Sequence, residues 1–354
     1  MGEIRSGANK VGKIYLGGKL IAGGGTSAAM KEYVVCSIDY YFSGNSHLGI
    51  IDDTNTLVAI YNCKDLFSSD GVLLFYDRLS NILYAIDAGN QIINVSFNKV
   101  IYESDGEPKN IICWHDKLII GEFNDNTGRG YIKKIDSVPD SNEYLIGDDQ
   151  GSLDETKGFI FNGKAVINNY SMGFFAYDKN TDTKTEIIGN WHVTITDPVF
   201  IGEDCYLYAD EEETVIKIDK NFNKTEYYSR EFSYLSDATH LAYIKGRFIV
   251  YADERYVASS DLANWEKGVI AGSNIPSSAT ISATIRYRNV NDKVFAYYVQ
   301  DGIVYTAFSS DGVTFAFEDK TYELPGNLGT TKMDYESWGE DCVAVVNDNF
   351  LMTI

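Results

Sequence analysis

The chain is short of almost every signal that marks an active site. Its four histidines (His47, His115, His192, His240) show no HExxH or other ligand spacing. Its five cysteines lie far apart with no CxxC pair, which suits neither zinc nor a disulfide framework. They read as small core residues of a chain folded in a reducing compartment. No phosphate-binding loop or nucleophile elbow is present, and the Gly-rich GGKLIAGGG lacks the strand–turn–helix context that phosphate cradling needs. No catalytic residue, metal or cofactor is therefore expected.

Long apolar runs are missing too. Nothing approaches the roughly 18 residues of a membrane span, and MGEIRSGANKVGKIYLGG lacks the basic-then-apolar order of a secretory signal. Basic residues are scarce: 30 Lys and Arg against 51 Asp and Glu leave a net charge of −21. Nucleic-acid binding needs a basic face that displaces counterions, so it is not expected. Unaided docking on an anionic membrane is not expected either. The acids are scattered through turns, which is the pattern of a solvated surface; the sharper reading is a cation-rich partner or bound divalent ions.

What is abundant is strand signal. Apolar residues make up 44% of the chain, with 26 Tyr and 18 Phe but only 5 Pro. Tyrosine suits half-buried sheet surfaces, where the ring packs and the hydroxyl stays wet. Hairpin units recur at 159–188, 199–229, 241–272 and 285–319. In each, a third apolar run ends at Asp178, Asp219, Asp261 or Asp311. A period near forty made only of strands predicts an all-β β-propeller. Seven hairpin openings are legible: 73–87, 111–123, 158–169, 198–210, 241–253, 285–298 and 335–347. With a further unit in 33–71 the count is seven to eight four-stranded blades. The last unit runs out after about three strands, which invites closure by an N-terminal strand such as 32–36. No convincing ten-residue helix is found; the best candidate, 27–34, is short.

Residues 1–31 differ from the rest. Two apolar runs flank Gly17-Gly18, a pair suited to a two-residue hairpin turn, and Gly23-Gly24-Gly25-Thr26-Ser27 reads as a joint. Two domains are thus expected: a hairpin arm at 1–31 and a propeller at 32–354.

Two turns share the form Ser-x-Asp-x-x-Thr/Asn-aromatic: Ser259, Asp261 and Trp265 in one, Ser309, Asp311 and Phe315 in the other. Their oxygens can bond backbone N–H groups within the turn while the aromatic packs back on the sheet. Ser68-Ser69-Asp70-Gly71 is a partial copy. These turns resemble the Asp boxes of sialidase-like propellers, and the first also resembles a segment of five-bladed glycosidases. In those families the box builds the fold, so the resemblance implies structure rather than catalysis. The Phe-Arg-Ile-Pro signature of sialidases is absent, and nothing selects a carboxylate pair for hydrolysis. The runs starting at Asp178 and Asp219 place oxygens at alternate positions, but lack the Gly and Glu of a calcium loop and read as polar turns. If glycans are bound, exposed Trp191, Trp265 and Trp338 are the first rings to test.

The segment 7–21, with Lys13, Ile14, Tyr15, Leu16, Leu20 and Ile21 forming a Lys-Ile-Tyr-Leu-Gly-Gly-Lys-Leu-Ile run, resembles the opening of bacteriophage tail-associated proteins. That resemblance implies a virion protein made in a bacterial cytoplasm. Its N-terminal arm would dock on other virion proteins, and its propeller would bind a protein or host-surface glycan. A glycan-active enzyme and a cellular scaffold are the competing expectations.

Overall fold

The computed structural model describes residues 5–6, 9–10, 13–16, 19–23, 32–40, 45–62, 73–77, 82–86, 91–95, 99–104, 107–114, 117–124, 129–136, 143–149, 157–169, 173–178, 181, 183–188, 194–210, 212–236, 238–276, 285–300, 303–319, 321–323, 330–332 and 338–345. Their regular structure is almost all strand. A 3₁₀ helix at Arg230–Tyr234, capped by Ser229 Oγ accepting from Glu231 N at 3.2 Å, is a small exception.

Among the described residues the strands form seven four-stranded antiparallel sheets. Sheets 2, 3, 4, 5 and 6 are simple meanders over 73–103, 107–149, 157–188, 199–228 and 240–269. Sheet 7 joins Arg286–Val290, Lys293–Gln300, Ile303–Ser309 and Glu318–Asp319. Sheet 1 is different: its first strand is Trp338–Val345, followed by Glu32–Tyr40, Asn45–Ile51 and Leu57–Asn62. The first strands touch their neighbours around a ring, sheet 7 to 1, 1 to 2, 2 to 3, 3 to 4, 5 to 6 and 6 to 7. Between sheets 4 and 5 the link is aromatic, Phe200 lying against Phe159 and Phe161 at 6.0 and 6.1 Å. This is a β-propeller.

The structure corrects one feature of the sequence count. The stretch 335–347 is not a hairpin. Trp338–Val345 is one strand, its Gly-Glu-Asp being a register shift between Trp338 and Asp341. Its partner is Glu32–Tyr40, in the register Val345↔Glu32, Val343↔Val34 and Asp341↔Cys36. The first and last units are therefore one sheet, and an eight-unit count is one too many. The helix candidate at 27–34 runs into this strand; 24–31 lie outside the described residues. The arm contains the two-stranded pairs Arg5–Ser6 with Asn9–Lys10 and Lys13–Leu16 with Lys19–Gly23.

Sheets stacked face to face bury their strands on both sides, and the sequence shows it as unbroken apolar runs. Alternate residues of one strand serve different cores. Cys205, Leu207 and Ala209 pack toward sheet 4, while Tyr206 and Tyr208 pack toward sheet 6. Val34 and Cys36 likewise face sheet 7, and Val35 faces sheet 2. Cys36 and Cys205 are buried thiols outside any disulfide, and burial pushes the Cys205 thiol far up. Several fourth strands carry charge, as in Thr183–Ile188, Lys224–Tyr228 and Glu266–Val269, which blunts edge pairing.

Polar clamps add to the closure. Asn291 N donates to Glu32 Oε2 (2.7 Å), Asn291 Nδ2 to Glu32 O (3.1 Å), and Glu32 N to Asn291 Oδ1 (3.0 Å). Lys293 Nζ donates to Asp53 O at 2.9 Å, and Asn55 exchanges bonds with Thr306. Between sheets 6 and 7, Ala271–Ser273 runs parallel beside Thr314–Ala316. There Gly272 has φ +134, and a Cβ would sit 1.8 Å from Phe315 O.

Two substitutions test these joints. Asn291→Gly keeps the positive φ (+55) but removes the side-chain bonds, and is expected to cost about 1–2 kcal/mol in chemical denaturation. Gly272→Ala drives a methyl into backbone and is expected to cost about 3 kcal/mol or more, read as a lost or strongly lowered thermal transition.

Candidate binding surface

In a four-stranded meander the first–second and third–fourth turns lie at the same end of the sheet. That end carries both Ser-x-Asp turns singled out in the sequence, and its chemistry is set by turn construction.

Four third–fourth turns use an Asp carboxylate in the same way. Asp52 Oδ1 accepts from Thr54 N (2.9 Å) and Thr56 N (3.2 Å). Asp219 Oδ1 accepts from Asn221 N (2.7 Å) and Asn223 N (2.9 Å). Asp261 Oδ1 accepts from Ala263 N (2.9 Å) and Asn264 N (2.8 Å), and Asp311 Oδ1 from Val313 N (2.9 Å) and Thr314 N (2.8 Å). A short anionic acceptor satisfies donors that the turn would otherwise leave unpaired.

The two Ser-x-Asp turns go further and share the bonds of their serines. Ser259 Oγ donates to Asp261 Oδ1 (3.1 Å) and accepts from Leu262 N (2.9 Å). Ser309 Oγ donates to Asp311 Oδ1 (2.9 Å) and accepts from Gly312 N (2.9 Å). Leu262 and Gly312 both take positive φ, +62 and +76. Both serines are buried. Trp265 Nε1 donates to Leu262 O (3.1 Å), and its ring meets Phe232 edge-on at 4.7 Å. Phe315 is fully buried against Tyr287 (5.9 Å) and Phe317 (5.8 Å). Tyr251 reaches across from sheet 6 and donates its hydroxyl to Gly312 O at 2.6 Å. Ser259, Asp261, Trp265, Ser309, Asp311 and Phe315 thus form two turn assemblies rather than one convergent site.

The electrostatics follow from the bonding. Asp219 is held below the usual carboxylate range by the Asn223 side chain and backbone. Asp261 is held far below it, chiefly by the Asn264 backbone and side chain. For Asp311 partial burial acts upward, but the Val313 and Thr314 donors prevail and bring it down to about 2. The carboxylates of Asp219, Asp261 and Asp311 therefore stay ionised at neutral pH. Neighbouring cations are paired: Lys217 with Asp204 (2.7 Å), Lys220 with Glu203 (2.8 Å), Lys164 with Asp178 (3.8 Å) and Arg247 with Glu266.

Two rings that the sequence reading missed stand at this end. Phe200 is 47% exposed and Tyr243 is 36% exposed. Each lies one residue before the end of a first strand, followed by Ile201 and Ile244 and then the turn. Each lies at the seam with the preceding sheet, Phe200 against Phe161 and Tyr243 against Phe248 at 4.8 Å, with Tyr206 beyond at 4.8 Å from Phe248. Their common offset from the turn was the available signal. A recess of about 280 Å³ lies nearby, lined by Arg247, Ser260, Asp261, Asn264, Trp265 and Glu266.

Other expected residues cannot be placed at the surface. Trp191 and the 68–71 partial copy lie outside the described residues, as does most of the 178–182 turn. Trp338 and the arm residues Lys13, Ile14, Tyr15, Leu16, Leu20 and Ile21 are described as backbone strand only. No helix among the described residues is long and apolar enough to cross a membrane.

No protein family matches the chain, and no curated protein matches it. Among solved structures, Saccharomyces cerevisiae Sqt1 is similar at 10% identity and a TM-score of 0.51, over 89% of this chain and 93% of that one. An oligogalacturonate lyase from Vibrio parahaemolyticus reaches 0.48 at 10% identity, over 77% and 91%. A streptogramin B lyase reaches 0.46 at 10% identity, over 77% and 96%. The likeness to Sqt1 is one of fold alone, and nothing about activity follows from any of the three.

The turn carboxylates give a pH signature. Because the folded Asp311 carboxyl is lowered to about 2, its contribution is complete above the ordinary carboxylate range near 4. It is lost as pH falls from there through about 2. The stability difference between the native chain and Asp311→Asn is expected to be constant from pH 7 to about 5 and to vanish toward pH 2. A difference that persists undiminished at pH 2 would contradict this account.

Proposed function

We propose that this chain is a non-enzymatic structural protein of a bacteriophage virion, tail-associated or decorating the particle. Residues 1–31 anchor it to other virion proteins, and the propeller of 32–354 is displayed for binding a protein or host surface. On this reading the seven sheets are the blades of one closed ring. The observation that carries the reading is where the ring closes. The strand Glu32–Tyr40 completes sheet 1 with Trp338–Val345, so everything before Glu32 is left over from the propeller and available for attachment. The phage-like Lys-Ile-Tyr-Leu-Gly-Gly-Lys-Leu-Ile run falls in that leftover segment, in the paired strands Lys13–Leu16 and Lys19–Gly23.

The non-enzymatic part rests on the turns. A glycosidase needs one carboxyl kept protonated near neutral pH to act as general acid. Asp261 and Asp311 are pushed the opposite way, by donors that belong to the turn itself. The second reading, a glycan-binding or glycan-cleaving propeller, is favoured by one observation. Phe200 and Tyr243 present partly exposed rings at matching positions of consecutive sheets, and such rings can stack on sugars.

Removing residues 1–31 is expected to leave the thermal transition of the propeller nearly unchanged and to abolish co-sedimentation with purified particles. A 1–31 segment fused to an unrelated protein is expected to confer attachment. Retained attachment after deletion would overturn the proposal. Cleavage of a glycan panel, abolished by one carboxylate substitution, would replace it with the second reading.

A further inference from the structure

Charge divides this chain at the point where the ring closes. Residues 1–31 hold five basic side chains (Arg5, Lys10, Lys13, Lys19, Lys31) and one acidic (Glu3), a net of +4. The whole chain carries −21, which leaves −25 on residues 32–354. A cationic arm thus precedes a strongly anionic body.

The arm also enters the fold at a specific end. Glu32 pairs with Val345 where the other sheets have their first–second turn, and it is clamped to Asn291 in that turn of sheet 7. Phe200 and Tyr243 lie at this same end, and so do the ionised turn residues Asp219, Asp261 and Asp311. The cations Lys217, Lys220 and Arg247 there are already paired, and Lys245 sits in the first–second turn of sheet 6. The end therefore offers two exposed rings near the axis and fixed negative charge around them.

From Gly24 to Lys31 the chain has eight residues, enough to span at most roughly 27 Å. A link of that length holds its two ends at an effective concentration on the order of millimolar. An isolated two-stranded hairpin is marginal in water and gains from covering its apolar face. Ile14, Tyr15, Leu16, Leu20 and Ile21 give the arm such apolar content.

We propose that the cationic 1–31 arm docks in cis on the turn end of its own propeller. Its apolar residues cover Phe200 and Tyr243, and its lysines face the carboxylates of that end. Docking and anchoring to another body then compete for one arm. The inference extends the anchoring proposal without depending on it, because particle attachment and self-docking are read by different assays.

Zero-length carbodiimide coupling of the full-length protein tests this, using an equal mixture of ¹⁴N and ¹⁵N chains. At low ionic strength, Lys13 or Lys19 is expected to couple to Glu203, Asp219 or Asp261 within one isotope label. The yield is expected to fall about tenfold when salt shortens the screening length to a few ångströms. Lys13→Glu, which leaves Lys19 as the coupling amine, is expected to lower the Lys19 yield several-fold, and so is Tyr243→Ser. Tyr228→Ser, at the outer edge of sheet 5, is expected to leave it unchanged. Absence of arm-to-turn coupling overturns the proposal, as does coupling insensitive to salt and charge reversal. Mixed-label product making up about half of the coupled species, the statistical share for random pairing of two equal populations, overturns it too, since it assigns the arm to a second copy. If coupling is as expected while particle attachment fails, only the virion reading is lost.

Discussion

The pairing of Trp338–Val345 with Glu32–Tyr40 is the constraint on which the rest of the molecule depends. The other four-stranded sheets are each built from strands that follow closely in sequence, so they can form locally. Sheet 1 cannot, because its first and second strands lie at opposite ends of the sequence. Until they meet, sheets 2 and 7 each have a face without a neighbour. The residues involved show what is at stake. Val34, Cys36, Ile51 and Leu57 complete a core with Val290, Phe295, Tyr297 and Val304, while Val35, Leu48 and Ile50 complete another with Leu74, Leu83 and Ala85. Two hydrophobic cores are therefore finished by one ladder, and non-local contacts of this kind pay their loop-closure entropy before they return anything.

The seams between sheets solve one packing problem in different ways. Sheets 4 and 5 meet through Phe159, Phe161, Phe200 and Phe222, an aromatic filling. Sheets 6 and 7 meet through stacked Tyr251 and Tyr287 at 4.3 Å, with Asn289 occupying the position that Tyr243 holds one sheet earlier. That amide is engaged at both ends, its Nδ2 donating to Leu241 O and its Oδ1 facing His240 Nε2 at 3.2 Å. Exposed rings occur where the equivalent position is aromatic, and a polar bridge occurs where it is Asn. The exposure and polarity of this end thus follow from how each seam was filled.

The sequence made the architecture legible because its strongest signals are local. Gly, Asn and Asp turns between short apolar runs located the hairpins, and the recurring Asp located the third–fourth turns with their hydrogen bonds. The C-terminal strand was misread for a physical reason. Gly339-Glu340-Asp341 has the composition of a turn, and only the distant partner Glu32–Tyr40 turns it into a register shift. Closure by an N-terminal strand was legible from the unfinished last unit, since an unpaired edge requires a partner. Phe200 and Tyr243 were not singled out because exposure is decided by the neighbouring sheet, and composition alone makes them ordinary core aromatics.

The place where the arm joins the ring also decides how the molecule meets mechanical force. A pull on the arm enters at Glu32, the first residue of a strand hydrogen-bonded on one side to Trp338–Val345 and on the other to Asn45–Ile51. Drawn along its own axis, such a strand can leave only by sliding past both partners. Many backbone bonds must then fail together instead of opening one after another. Because Glu32–Tyr40 is paired on both sides, the joint between arm and sheet resists tearing.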